Sequence, residues 1–259
     1  MDYLLFRLYG PMASWGEIAV GENRHTAFRP SKSAILGLLG AALGIDRLDD
    51  EQQGQLATGY LMASKVVSGG QLLRDYHTTQ APDSVGKFQY RTRRDEIILG
   101  RKRLGTILSS REYRTDSLAL VAITVNESAN WSLRVLAEHL AKPRFHLYLG
   151  RKACPLAAPL NPKVISTRGF KAAFEEYQPG DLLIDRKSWD GDSRWLASDV
   201  IQQYYWEGLI EDFAAEDGVF DRRQVQQLSR YDQPLSRRRW QFQPRQEFMW
   251  QAQQQGGQE

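Results

Sequence analysis

The chain has 259 residues, 42% of them apolar, a formal net charge of +3 and one cysteine. No run approaches the roughly 20 apolar residues of a membrane span, and the opening segment carries Arg7 and lacks a cleavage site, so neither a span nor a signal peptide is expected. Lone Cys154 excludes an internal disulfide and a CxxC zinc pair, which fits a soluble cytoplasmic protein of one elaborated domain or two small ones.

Tyr3 to Tyr9 reads as a strand with Leu4, Phe6 and Leu8 on one face, stopped by Gly10-Pro11. Ser31 is placed to cap a helix running to about Leu43, and Gly37, Gly40, Ala41 and Gly44 would let it lie close against a sheet. Leu61–Val67 and Gln71–Thr78 read as two strands joined as a hairpin at Ser68-Gly69-Gly70. A basic segment follows whose Tyr90, Ile97, Ile98, Leu99, Ile107 and Leu108 suit a long projecting hairpin. Leu118–Val125 is the clearest strand, and Asn130 then caps a short helix with Trp131, Val135, Leu136 and Leu140 inward. This order predicts an α+β fold, a ferredoxin-like or RRM-like sheet with helices on one face. The expected division is a core over 1–180 with a basic thumb at 80–114, an acidic insertion with a C-terminal β/α extension over 181–250, and a frayed tail from 251 to 259.

The small net charge conceals segregation. Ser84 to Arg114 carries +6, Ala172 to Asp221 carries −10, and Arg222 to Arg245 carries +6 again. Such blocks steer polyanions toward one surface and away from another. The acidic block also holds Trp189, Trp195, Tyr204, Tyr205, Trp206, Phe213 and Phe220, which suit either a partner-facing surface or packing on the chain's own core.

No catalytic, metal or cofactor site is expected. Gly100 to Thr106 has the outer spacing of a phosphate loop but lacks its lysine, and the four histidines fall at no ligand spacing. Four other stretches point to nucleic acid. Gly10-Pro-Met-Ala-Ser-Trp-Gly16 is a turn with an indole at its tip, either an edge cover or a base-stacking Trp15. Arg29, Ser31, Lys32 and Ser33 gather hydroxyls and cations at a helix N-terminus, a natural phosphate cradle or simply a cap. Arg74, Tyr76, His77 and Thr78 end a strand just before the basic hairpin. Lys142, Arg144, Tyr148, Gly150, Arg151 and Lys152 combine cations, an aromatic and a turn. Basic residues interleaved with aromatics supply charge for a single-stranded backbone and π-faces for splayed bases.

These stretches resemble the CasD-type subunits of type I-E CRISPR Cascade complexes, in the RAMP superfamily. The resemblance rests on Gly10–Gly16, Ser31-Lys-Ser33 running into Leu36–Ile45, Arg74-Asp-Tyr-His-Thr78, Arg111-Glu-Tyr113, and Lys142-Pro-Arg144 with Tyr148–Leu156. It implies an RRM-like core with a hairpin thumb and a non-catalytic role holding the 5′ handle of CRISPR RNA. It also implies contact with a neighbouring backbone subunit and the large subunit, with target DNA met only indirectly and no membrane partner. The residues above would bind RNA, joined by Lys87, Arg91, Arg93, Arg94, Arg101, Lys102, Arg103, Arg111 and Tyr113 of the thumb. The long thumb and the acidic stretch depart from the family pattern. A rival within the superfamily is the type I-C repeat endoribonuclease, whose metal-free cleavage needs a Tyr, Lys and His set; Tyr76 and His77 are its nominees here. A single-stranded nucleic-acid binder outside CRISPR is the third reading.

Overall fold

A computed structural model describes residues 1–19, 21–84, 86, 88–182, 196, 199, 201–214 and 219–253. Lys87, Trp189 and Trp195 lie outside them. The strands are β1 (Asp2–Ala13), β2 (Asn23–Arg24), β3 (Tyr60–Ser68), β4 (Gln71–Pro82), β5 (Leu104–Val125), β6 (Lys163–Ser166), β7 (Ile201–Trp206), β8 (Gln226–Ser236) and β9 (Gln241–Gln253). The α-helices are α1 (Lys32–Leu43), α2 (Asp50–Thr58), α3 (Arg93–Ile98), α4 (Leu133–Ala141) and α5 (Phe170–Glu176).

Among the described residues the strands form one sheet in the order β6-β1-β5-β3-β7-β9-β8, with β2 and β4 also on β5. β6, β1, β5 and β3 pair antiparallel throughout. With α1 between β1 and β3, and α4 between β5 and β6, this is the βαββαβ ferredoxin-like arrangement expected from the sequence. β7, β9 and β8 then extend the same sheet beyond β3.

The period-2 alternation of strand side chains sorts β1 between two cores. Leu4, Phe6 and Leu8 pack with Ile35, Leu36 and Leu39 of α1 and Leu136 and Leu140 of α4. Tyr3 and Leu5 face the other way, onto Phe170 and Phe174 of α5 and onto Tyr204, Trp206, Phe213, Phe220 and Trp250. Helices on one face were expected; α5 and the C-terminal aromatics cover the second. The described aromatics of the acidic block are therefore core, with Trp206 stacked on Phe213 at 4.3 Å between centroids. Base stacking on an open sheet face, the usual RRM mode, is closed at this central region.

Several local expectations are corrected by tertiary contacts. β1 runs through Gly10-Pro11 to Ala13. Gly10 is there because the chain crosses over it: a Cβ would lie 2.6 Å from the Pro155 carbonyl oxygen. β3 and β4 do not pair with each other. β3 lies along Leu118–Val125 and β4 along Leu104–Thr115, so they follow one another down the same long strand, with Gly69-Gly70 at the break. Ser132, not Asn130, caps α4, its hydroxyl accepting from the Val135 amide. The thumb starts at Gln71 rather than near 80, and its tip carries α3, closed by a Thr92/Asp95 capping box.

Candidate nucleic-acid interface

The N-terminus of α1 does not offer the expected phosphate cradle. Ser31 caps the helix through the Ala34 amide, and the Lys32 amide donates to Asp232 Oδ2 at 2.8 Å. A carboxylate from β8 already occupies the place a phosphate would take. Around it lies a buried ion cluster: Lys32 meets Glu207 at 2.9 Å and Arg29 pairs with Glu247. Arg245 reaches Asp232 at 2.6 Å, Glu247 at 2.8 Å and Glu207 at 3.3 Å. Three cations meet three carboxylates, so the cluster is neutral. Arg29 also lies 3.8 Å above the Tyr205 ring, and burial pushes its guanidinium below its ordinary pKa against the pull of Glu247. Burial alone would raise the Asp232 carboxyl, but Arg245 outweighs it and holds the group below the usual range.

Beside this cluster a groove of about 1120 Å³ opens over the outer face of α1. Ser33, Ala34, Gly37 and Ala41 form part of its floor. Gly37 and Ala41, expected against the sheet, face this space instead. One part of the rim is the 14–26 loop with Arg24 and His25, another is the 146–151 loop with Tyr148 and Arg151, and a third is the β8–β9 hairpin with Arg230, Tyr231, Arg237, Trp240 and Phe242. Gly150 seats the second loop on the first: its φ is +85°, and a Cβ would lie 1.8 Å from the Ser14 carbonyl oxygen.

The rim arginines are held differently from the cluster. Arg24 donates to the Ala19 carbonyl at 2.7 Å, Arg151 to the carbonyls of Arg24 at 3.2 Å and Glu112 at 3.5 Å, and Arg237 to that of Ser33 at 2.5 Å. Among the described residues none of these three pairs with a carboxylate, so main-chain dipoles orient them while their charge remains for an anion. Arg230, by contrast, meets Glu17 at 3.1 Å.

Glu112 joins groove to thumb. Its buried carboxylate meets Arg74 at 2.8 Å and His25 at 3.2 Å, while its carbonyl accepts from the Ser14 hydroxyl at 3.0 Å. The Arg74 hydrogen bond is the main influence holding its pKa below the ordinary carboxylate value. β2 lies beside the same point, Asn23 and Arg24 pairing with Ser110 and Arg111.

Of the residues singled out from sequence, Ser31, Ser33, Tyr148, Gly150 and Arg151 line the groove. Trp15 and Tyr113 are core side chains; Trp15 has no free face, and Tyr113 lies under the Arg151 guanidinium at 4.9 Å. Arg29 and Lys32 are spent in the ion cluster. Tyr76, Thr78, Arg91, Arg93, Arg94, Arg101, Lys102, Arg103 and Arg111 are exposed along the thumb, Arg93 meeting Glu96 at 2.5 Å. His77, on the same arm, pairs with Asp75. Lys142, Arg144 and Lys152 are exposed near the 146–151 loop. Arg24, His25, Glu112 and the β8–β9 hairpin were missed; the +6 block at Arg222–Arg245 was the signal for the hairpin.

The antiparallel strand order, the long arm on β5 and this groove define a ferredoxin-like protein of the RAMP type. A family model described as "CRISPR-associated protein (Cas_Cas5)" matches residues 3–247. "CRISPR system Cascade subunit CasD" of Escherichia coli (strain K12) is 34% identical over 194 residues, covering 70% of this chain and 80% of that protein. A solved chain described as "CRISPR RNA-guided surveillance complex" superposes with a TM-score of 0.60 at 25% identity, over 97% of this chain and 89% of its own. Another, "Crystal structure of Cas protein", gives 0.55 at 24% identity over 97% and 94%, a likeness of fold. The chain belongs to the CRISPR-associated Cas5 family.

Proposed function

We propose that this protein is the non-catalytic subunit of a cytoplasmic Cascade-type surveillance complex that holds the 5′ handle of the CRISPR RNA. In this role it contacts a neighbouring backbone subunit and the large subunit, and meets target DNA only indirectly. Membership of the complex is supported by two relatives: the Escherichia coli protein is a Cascade subunit, and the 25% identical solved chain comes from a CRISPR RNA-guided surveillance complex. The observation that carries the RNA reading is the groove whose rim mixes aromatic rings with the guanidinium groups of Arg24, Arg151 and Arg237, which among the described residues have no carboxylate partner. Its volume exceeds the roughly 300–1,000 Å³ of small-molecule pockets, which favours a stretch of polymer. A positive channel with stacking rings is what a single strand requires.

The test is titration of the purified protein with single-stranded guide 5′-end RNA over a salt series. Binding should weaken as salt rises, and Arg24→Glu with Arg151→Glu should reduce the log–log slope by about 0.7 for each phosphate no longer neutralised. An unchanged slope overturns the groove reading. Incubation with whole repeat RNA tests the endoribonuclease alternative, which the exposed His77–Asp75 pair would serve. No cleavage is expected, and guide processing in a reconstituted system should survive His77→Ala. Cleavage lost in that variant with assembly intact would favour the enzyme.

A further inference from the structure

The turn between β8 and β9 exposes a residue that folding alone does not account for. Trp240 has φ +57°, a left-handed backbone where glycine or asparagine is usual, and 59% of its surface is exposed. A non-glycine residue there is strained. Such strain together with an exposed indole is retained at functional positions more readily than elsewhere.

The ring is nevertheless held in place. The Arg47 guanidinium covers it at 4.4 Å, and Phe242 meets it edge-on at 5.7 Å and 73°. Arg47 takes one indole face, and the exposed remainder of a residue that lines the groove is surface on which a planar group can lie. Arg237 lies in the same turn. Burial, and then the like charge of Arg47, lowers its pKa, so an anion beside the two guanidiniums would relieve both. A positive, aromatic site disfavours a cationic guest of the kind aromatic cages hold. It fits a group with a π-face and an attached anion.

We propose that Trp240 is a stacking platform for one nucleobase of a single-stranded RNA, with a neighbouring phosphate of the same strand held by Arg47 and Arg237. This rests on the groove being the RNA site, and it adds a base-binding position supplied by the C-terminal hairpin. The platform takes any base, because every base has a π-face; the arginines select the phosphodiester.

The experiment measures affinity of the full chain for guide 5′-end RNA and for a series carrying a single abasic nucleotide at each position. Trp240→Ala should weaken the intact RNA about tenfold, the fold-change of a stacked base, while Trp240→Phe should retain most of the affinity. One abasic position should reproduce the loss and add nothing further in Trp240→Ala. Trp240→Gly relaxes the backbone, so it should unfold at an equal or higher temperature yet bind as weakly as the alanine variant. A purely structural tryptophan would show the reverse. Unchanged binding in Trp240→Ala, or losses that add with every abasic position, overturns the platform. If Arg24→Glu with Arg151→Glu still weakens binding in that case, the groove reading stands without it. If neither change affects binding, both fall.

Discussion

The ion cluster at the start of α1 and the rim of the groove are made from the same residue types, side by side, and do opposite things. In the cluster, Arg29, Lys32 and Arg245 are matched by Glu207, Asp232 and Glu247 and removed from solvent. At the rim, Arg24, Arg151 and Arg237 donate to carbonyl oxygens and, among the described residues, to no carboxylate. A carbonyl aims a guanidinium without cancelling it, whereas a carboxylate does both. The location of the counter-anion, and not the density of arginine, separates a girder from a binding surface.

The contrast breaks most visibly in the cluster. Replacing Glu247 by alanine leaves Arg29 and Arg245 short of a partner in a buried setting, and removing one member of such a set costs about 3–5 kcal/mol. The urea midpoint should fall accordingly, while RNA affinity measured well below the transition stays near that of the parent. Acid probes the same cluster more gently. The Asp232 carboxyl is depressed on folding, so its contribution is present above the unfolded value of about 3.9 and is lost as pH falls through the folded value. Stability measured from pH 6 downward, with pH here the experimental variable, should decline less steeply in Asp232→Asn than in the parent, from a lower starting level.

At the rim the pattern should invert. Arg24→Ala should shift unfolding by no more than about 0.5 kcal/mol, the usual range for surface changes, and Arg151→Ala by more because its guanidinium covers the buried Tyr113 ring. Both should nevertheless weaken RNA binding and flatten its salt dependence. The smallest expected effect lies on the thumb. Arg91, Arg93 and Arg94 are exposed, and Arg93 already meets Glu96. Changing all three to glutamate should reduce guide affinity and the salt slope while leaving the unfolding midpoint in place. A midpoint that drops would mean that these side chains hold the arm together.

The sequence carried the ferredoxin-like order well, because each of its elements has a local signature: the β1 alternation, the Ser31 cap, the run at Leu118–Val125. It carried the site less well. Arg29-Pro-Ser-Lys-Ser33 has the composition of a phosphate cradle, and only the arrival of Asp232, two hundred residues later, fills it. Trp15 sits in a glycine-flanked turn like a stacking residue, yet the Thr26 hydroxyl and the core around it turn the indole inward. Arg237 and Trp240 lay in a recognised basic block, but their position over α1 depends on β9 and β7 carrying the sheet across. Long-range pairing of this kind has no local signature. The capping box at Thr92 and Asp95 does have one, and α3 could have been read from it.

β5 runs for 22 residues, anchored at one end between β1 and β3 and carrying the thumb at the other, with Asp116 in the left-handed region (φ +54°) at the junction. At about 3.3–3.4 Å per residue it spans on the order of 70 Å. It therefore works as a ruler: the reach of the arm beyond Asp116 is graduated in paired residues of β4 and β5. Two residues added to β4 and two to β5 should carry the tip outward by nearly 7 Å with every side chain still facing as before. One residue added to each on the root side of Arg74 and Glu112 should turn the arm's two faces over, keeping that cross-strand pair but taking Glu112 away from His25 and uncoupling the thumb from the groove at its root.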